Sequence, residues 1–310
     1  MKIFKGFNIP RSYYNSIILI GNFDGVHLGH QKLFKKAREY KKKFKCKIGV
    51  ITFNPMPKMF FNKNLKHFKL MNLDQKIHQF EKQKVDFLIN QKFSKNFSKI
   101  KAESFIKNYL STKIKAKVLF VSNNFRFGNK RQGDTRLLKS YEKICNYKLI
   151  IPPPLKKGNK IISSTKIRKL LLNGDLNKAN RYLSRHWEIE GKVEKGRKVG
   201  GKIGFATCNI DIGNYIIAKP GVYSVKVRLD LNKKNINGIA NLGFRPTFNQ
   251  NKILLEVNLF NFNRNIYNKK LAVKFIKFIR SEKKFKSVKQ LTNQIKKDIE
   301  IAKNSLKNHE

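Results

Sequence analysis

The first half of the chain alternates between two hydrophobic textures. Residues 17–20 form an unbroken apolar run of strand length, after which Leu33, Phe34, Ala37, Tyr40 and Phe44 recur at steps of three and four and predict a helix over 30–44. The alternation continues with strands predicted at 47–53, 85–90, 117–122 and 148–151. Between them the spacing predicts a helix that Asp74 caps and that runs through Ile77 and Phe80, then helices over 102–110 and 134–147. Repeated β-α-β units imply a mostly parallel sheet covered by helices on both faces. Pro152-Pro153-Pro154 interrupts the chain without ending this pattern. Ser164 is expected to cap a further helix closed by Asn173-Gly174, and Asp175 to start another that runs to Leu183.

Beyond about Arg185 the texture changes. Short β-rich runs split by Gly, Pro and Asn occupy 204–212, 222–229, 238–242 and 253–260, the pattern of an antiparallel barrel or sandwich. The last segment is helical, with Phe285, Val288, Leu291, Ile295, Ile299 and Ala302 at steps of three and four. We therefore expect an α/β parallel-sheet domain over 1–185 and an antiparallel β-barrel domain with a C-terminal helix over 186–310, without internal repeats. A length of 310 residues, above the usual single-domain size, agrees with two domains.

Composition narrows the class. The 25 Phe and 33 Ile alone make nearly a fifth of the chain, enough core-forming material to exclude a disordered protein despite the charge. No apolar run approaches the ~18 residues of a membrane span, and no hydrophobic signal core follows residues 1–11. Cys46, Cys145 and Cys208 lie too far apart for a disulfide framework or a CxxC zinc pattern. These features predict a soluble protein of a reducing compartment, the cytoplasm, without a membrane partner.

Charge is the conspicuous feature, 69 basic against 19 acidic residues for a formal +50. It invites a nucleic-acid reading. However, the basic residues split into 56 Lys and 13 Arg, whereas bidentate phosphate and base recognition leans on Arg. The lysines are also spread along the whole chain instead of forming one stripe. Lys, Asn, Ile and Phe all have A/T-rich codons, so a biased genome raises them together. No specific nucleic-acid partner is predicted, only a non-specific attraction to polyanions that fades with salt. The sequence specifies no oligomeric state.

Candidate chemistry begins after the first predicted strand, at Gly21-Asn22-Phe23-Asp24-Gly25-Val26-His27-Leu28-Gly29-His30. Glycines at a β–α junction let backbone N–H groups approach phosphates, and the helix N-terminus adds its positive end. Gly21, Phe23, Gly25 and Gly29 are thus candidate nucleotide-binding positions. Imidazoles at His27 and His30, with the small Gly29 between them, can donate to phosphate oxygens and stabilise the extra negative charge of a nucleotidyl-transfer transition state. An isolated H-x-G-H is more simply a tight turn; its place at this junction is what makes it a candidate catalytic pair.

With those residues in view, IGNFDGVHLGHQ over 20–31 resembles the adenylyltransferase signature of the bacterial bifunctional riboflavin kinase/FAD synthetase family, whose second activity is FMN adenylyltransferase. Further matches follow in family order: Thr52-Phe53-Asn54-Pro55, Asn124-Phe125-Arg126-Phe127-Gly128 and Ser163-Ser164-Thr165-Lys166-Ile167-Arg168. The resemblance implies a nucleotidyltransferase-type α/β domain in which Asn124, Ser164, Thr165 and Arg168 join the nucleotide site. Two hydroxyls and an Arg at a helix start suit an anion. The family usually has P-H-P where this chain has Pro55-Met56-Pro57, and G-x-D-F where it has Ser122-Asn123-Asn124-Phe125. A thioether replaces an imidazole and an amide replaces a carboxylate, so each substitution removes a titratable group.

The second half carries a second site. Gly196-Arg197-Lys198-Val199-Gly200-Gly201-Lys202-Ile203 almost spells a P-loop but has Ile203 where Ser or Thr would hold magnesium, and strand instead of helix follows. The P-loop reading is rejected, although a basic, Gly-rich segment framed by Gly196 and Gly204 can still wrap phosphates. In the predicted strand beyond it, Thr207 and Asn209 point the same way, so a hydroxyl and an amide oxygen can share one Mg²⁺. The stretch Gly204-Phe205-Ala206-Thr207-Cys208-Asn209 resembles the family's riboflavin-kinase signature G-x-P-T-A-N, with Ala206 and Cys208 replacing Pro and Ala. Asn241-Leu242-Gly243-Phe244-Arg245-Pro246-Thr247-Phe248 and Arg280-Ser281-Glu282 match later elements, and Glu256 falls on the carboxylate of the family's E-V-H, with Asn258 replacing the His. The resemblance implies that Glu256 is the catalytic base, since a ribityl hydroxyl needs somewhere to send its proton. It also implies Thr207 and Asn209 as metal ligands and Arg280 in the nucleotide site.

The expected activity is ATP-dependent phosphorylation of riboflavin to FMN with Mg²⁺, then adenylylation of FMN to FAD by a second ATP. The partners implied are these small-molecule substrates. A kinase with a degenerate adenylyltransferase domain, and a basic RNA-associated protein without enzymatic activity, are the alternatives.

Overall fold

A computed structural model describes residues 1–194, 205–229, 234–247 and 250–307. They pack as two compact units, one of Met1–Lys66 with Leu73–Ser163, the other of His67–Asn72 with Ser164–Glu310.

In the first unit, β1 (Lys2–Phe4), β2 (Ile17–Ile20), β3 (Ile48–Asn54), β4 (Phe87–Lys92), β5 (Val118–Phe120) and β6 (Lys148–Ile150) form one sheet in the order β1-β4-β3-β2-β5-β6. Every neighbouring pair is parallel. A small antiparallel hairpin, β7 (Lys156–Lys157) and β8 (Lys160–Ile161), follows. The central strands are continuous apolar runs because both faces are covered, and Ile17, Ile18 and Leu19 are wholly buried. Helix α1 (Leu28–Phe44) turns Phe34 and Ala37 inward, and an aromatic cluster that includes Phe7, Phe105 and Phe127 packs in a core with Ile18, Ile51 and Leu119 of the sheet. The chain leaves β2 for β3 on one side and adds β5 on the other. The C-terminal ends of β2 and β5 therefore flank a topological switch point, where an open α/β sheet leaves a crevice for ligands.

Two predicted helices take other forms. Over 102–110 a short α-helical turn, Ala102–Ser104, widens into a π-helix, Phe105–Lys113. Its wider turn brings Phe105 and Leu110, five residues apart, to the same buried side. Over 134–147 the regular helix is only Thr135–Ser140, with Asp134 as its N-cap accepting from the Arg136 and Leu137 amides at 2.9 and 3.0 Å. Beyond it Glu142 accepts from Lys139 and from the Leu149 amide. Those contacts tie the turn to β6 and end the helical repeat.

Both carboxylates feel these partners. The Lys139 ammonium and the Leu149 amide hold Glu142 below its ordinary value, and the Leu137 and Arg136 amides do the same for Asp134. Folded pKa values below the unfolded ones give stability that is complete above the unfolded values and is lost as pH falls through the folded ones. Thermal unfolding should therefore hold its midpoint down to about the ordinary glutamate value of 4.5 and drop below it. Glu142→Gln should lower the neutral midpoint and flatten that acid limb. Superimposable acid limbs in calorimetry would remove Glu142 from the account.

The second unit is built on a closed antiparallel barrel of β9 (Glu188–Glu194), β10 (Cys208–Ile210), β11 (Gly221–Leu229), β12 (Ile236–Thr247), β13 (Gln250–Leu259) and β14 (Lys270–Arg280), in the order β10-β13-β12-β11-β14-β9. Alternate residues such as Tyr223, Val225, Leu255, Val257, Val273 and Phe275 fill its interior. The closing helix, Val288–Lys307, lays Ala302 against Val222 and Ile239. It is fastened by Arg280, whose Nε donates to both Asp298 carboxylate oxygens at 3.0 and 2.9 Å with Nη2 at 2.7 Å. Strands β9 and β14 were not anticipated by the hydrophobic pattern. In β14, Val273, Ile276 and Ile279 also fit a helical step of three, so period alone does not decide.

Helices Ser164–Leu172 and Leu176–Leu183 belong to this second unit. So does the segment 67–72, whose Phe68 and Lys69 amides donate to the Asn214 carbonyl at 3.0 and 2.9 Å and whose Leu70 carbonyl accepts from the buried Trp187 indole at 3.0 Å. Among the described residues no helix is long and apolar enough to cross a membrane.

Candidate functional site

The loop between β2 and α1 leaves the sheet at the switch point. Phe23 and Val26 take positive φ of 46° and 35° on either side of Gly25 at 86°, a run of left-handed backbone that ordinary residues adopt only under constraint. Phe23 is buried, its ring packed edge-on against His30 at 5.2 Å and near Phe34, so it forms the floor of the loop. His27 is the N-cap of α1: its Nδ1 accepts from the His30 amide at 3.4 Å. With Nδ1 accepting, the neutral imidazole carries its proton on Nε2. The two imidazoles stack with centroids 3.7 Å apart and planes 21° apart. Gly29 lies close under this stack: a Cβ there would stand 3.1 Å from the His27 ring and 3.3 Å from the Ile162 carbonyl, so a side chain would press on the ring by a few tenths of an ångström. Gly21, Phe23, Gly25 and His27 thus lie in the loop, and Gly29 and His30 in the first turn of α1 that follows it.

Asn124 lies in the loop after β5, the strand on the other side of the switch point. It is exposed, and its Oδ1 accepts from the Ser122 hydroxyl at 2.9 Å. Met56, where the family pattern has His, is buried and packs as an apolar residue. Ser164 and Thr165 open the helix Ser164–Leu172 in the second unit, half-buried and exposed. Arg168 is buried there; its guanidinium stacks 3.6 Å over the Phe68 ring, and its Nε donates to the Phe68 carbonyl at 2.7 Å.

On the barrel, the strand containing Asn209 is shorter than expected and begins at Cys208, so Thr207 stands exposed just before it instead of sharing its ladder. Asn209 lies directly opposite Glu256 on β13 and Glu194 on β9, and Glu256 in turn opposite Asn241 on β12. Leu255 and Val257 point into the barrel, so this row of Glu194, Asn209, Glu256 and Asn241 occupies the outer face. Glu194 and Asn241 were not singled out from sequence. The signal for Asn241 was its motif, but only the strand register reveals the row. Arg280 reaches the end of the same row through Val222, yet its guanidinium is engaged with Asp298 and, through Nη1, with the Ser281 carbonyl at 2.9 Å. Gly196 and Gly204 lie outside the described residues.

The donors offered by Thr207 and Asn209 are a hydroxyl and an amide oxygen, hard ligands that fit Mg²⁺ shared with phosphates and water. Among the described residues no cluster of three or more His, Cys, Asp or Glu is placed to hold a metal by itself. Cys208, between the two, is buried, and that burial pushes its thiol up to about 11. Thiolate is the reactive form, so native protein at pH 8 should leave Cys208 unlabelled by iodoacetamide and label it only in denaturant. Mass-spectrometric labelling of Cys208 in the folded protein would contradict that.

A family model described as FAD synthetase matches residues 9–166, and one described as riboflavin kinase matches 183–306. Full-length relatives carry the name bifunctional riboflavin kinase/FMN adenylyltransferase. The protein of Buchnera aphidicola subsp. Schizaphis graminum is 42% identical over 307 residues, 98% of each chain. That of Haemophilus influenzae is 38% identical over 98% of each, and that of Escherichia coli K12 is 32% identical over 96% of each. A crystal structure described as a macrolide-efflux protein from Streptococcus pneumoniae superposes with a TM-score of 0.86 at 30% identity, covering 97% of this chain and 98% of that one. That description stays with that protein, because both halves of this chain match named enzyme domains. The chain belongs to the bifunctional riboflavin kinase/FMN adenylyltransferase family and is an enzyme with both activities, phosphorylating riboflavin to FMN and adenylylating FMN to FAD.

Proposed function

We propose that the two activities are carried by separate residue sets on either side of residue 185, adenylyl transfer over 1–185 and phosphoryl transfer over 186–310. In the kinase half, Glu256 accepts the proton of the riboflavin 5′-hydroxyl as its oxygen attacks the γ-phosphorus of ATP. Thr207 and Asn209 would hold Mg²⁺, which would supply charge neutralisation to the ATP phosphates. Gly196 and Gly204 are assigned to nucleotide binding by the sequence alone. Arg280, fastened to Asp298, contributes by fixing the chain at Ser281 beside the nucleotide. The observation that carries this reading is the register that sets Asn209 directly opposite Glu256 on the outer face of the barrel.

In the adenylyltransferase half the nucleophile is an FMN phosphate, already ionised, so positioning and charge stabilisation suffice. The Nε2 proton of His27 and the imidazole of His30 face the developing charge on ATP, and the backbone of Gly21, Phe23, Gly25 and Gly29 cradles its phosphates. Asn124 supplies a further polar contact. The resemblance also assigns Ser164, Thr165 and Arg168 to nucleotide binding, and in their own unit Arg168, stacked on Phe68, orients the helix that bears the two hydroxyls. The enzyme works in the cytoplasm, in keeping with three free cysteines. Its charge attracts polyanions non-specifically without a dedicated nucleic-acid site.

A chromatographic time course of the full chain with riboflavin, excess ATP and Mg²⁺ tests this. FMN should rise and then give way to FAD, and chelation of Mg²⁺ should stop FMN formation. FMN that accumulates without FAD would overturn the roles given to His27 and His30 in this chain. FMN formation that survives chelation would overturn the metal assignment.

A further inference from the structure

Two departures from the family's motifs meet in space. Ala206 stands where the G-x-P-T-A-N element has proline, and Asn258 where the E-V-H element has histidine. The Asn258 Nδ2 donates to the Ala206 carbonyl at 2.7 Å across 52 residues of sequence. Asn258 lies two residues beyond Glu256 on β13 and so shares its outer face. Thr207 follows Ala206 but precedes β10, so no strand ladder fixes its position. A proline at 206 would restrain the peptide leading to Thr207 by locking its own φ, and an alanine does not.

We propose that Asn258 is a positioning residue for the kinase: its amide clamps the peptide between Ala206 and Thr207 to β13 and supplies the restraint that a proline ring at 206 would supply. The two substitutions are then one compensated pair, and Asn258 acts on metal binding only through Thr207. The inference rests on the assignment of Thr207 and Asn209 as Mg²⁺ ligands.

The test compares the full-length chain with Asn258→Ala, Ala206→Pro, the double variant and Thr207→Ala. Mn²⁺ serves as the probe, its binding in the presence of ADP followed by electron paramagnetic resonance, beside the Mg²⁺ dependence of riboflavin phosphorylation. Asn258→Ala should weaken Mn²⁺ binding and raise the half-saturating Mg²⁺ concentration by about tenfold, as loss of an outer support of a metal ligand does. The rate at saturating Mg²⁺ should stay within about twofold of wild type, and FMN adenylylation should not change. Ala206→Pro in that background should restore Mn²⁺ binding to within about twofold, a coupling that independent sites would not show. An Asn258→Ala protein with unaltered Mn²⁺ binding, or a loss that Ala206→Pro fails to repair, overturns the inference. If Thr207→Ala weakens Mn²⁺ binding while Asn258→Ala does not, only the clamp is wrong. If Thr207→Ala leaves binding intact, the metal assignment itself fails.

Discussion

Glu256→Gln should nearly abolish FMN formation while leaving FMN adenylylation untouched. Glutamine keeps the volume and the strand geometry of position 256 but takes no proton, so with Glu256 as the proposed base the riboflavin hydroxyl would be left to attack unassisted. Loss of a positioned general base costs about 10²–10⁴ in rate, and a fall in kcat near the middle of that range, about 10³, is expected here. The side chain is half-buried on the outer face of β13, between Asn209 and Asn241 in register, and carries no core packing. The melting midpoint should therefore stay close to wild type, since surface substitutions generally cost less than about 0.5 kcal/mol. Supplying FMN directly isolates the other half: FAD should form at the wild-type rate. A kinase rate within about tenfold of wild type would be too high for loss of the base. The role would then pass to the other carboxylate of the row, Glu194, which faces Asn209 from β9.

That row also marks where sequence reasoning stops. The parallel sheet was legible because its strands are short apolar runs separated by helical periodicity, and the order of β-α-β units leaves few topologies. The barrel was legible from closely spaced strands and turn residues, but two of its six strands were not, because β14 satisfies a period of two and a step of three at once. Glu256, Asn209 and His27 were each found as members of a motif. What no motif states is that Glu256, Asn209, Asn241 and Glu194 stand side by side. Those neighbours lie on four strands, and register is a property of pairing between segments far apart in sequence. Arg168 and Arg280 show the complementary limit. Arg168 was expected to suit an anion and Arg280 was placed in the nucleotide site by resemblance; each is also engaged with a protein group, Phe68 in one case and Asp298 in the other. An Arg in a motif reveals its charge but not what it meets, and its planar guanidinium serves a ring face or a buried carboxylate as well as a phosphate.

The largest effect on the other activity should come from His27, and three substitutions separate its two jobs. Its Nδ1 caps α1 through the His30 amide, while its Nε2 is the group proposed to meet the developing charge on ATP. Asparagine is among the best N-cap residues, so His27→Asn should keep the helix start while removing the reach to Nε2, its melting midpoint lowered only by the lost ring contact with His30. FAD formation from supplied FMN should then fall by about 10²–10³, the usual cost of one lost donor to a charged transition state. His27→Ala should lose the same rate and, in addition, about 1 kcal/mol of stability from the missing cap. His27→Gln places an amide N–H near the position of Nε2 but lacks the cap, so it should be less stable than His27→Asn and yet faster. Riboflavin phosphorylation should be unaffected in all three. The ordering is the decisive feature, because a purely structural role for His27 makes rate follow stability and ranks Asn above Gln in both. The stacked geometry of His27 and His30, at 3.7 Å, adds that removal of either ring withdraws a packing partner from the other. The double variant should therefore lose less than the product of the two single losses, as expected for groups that act as a unit.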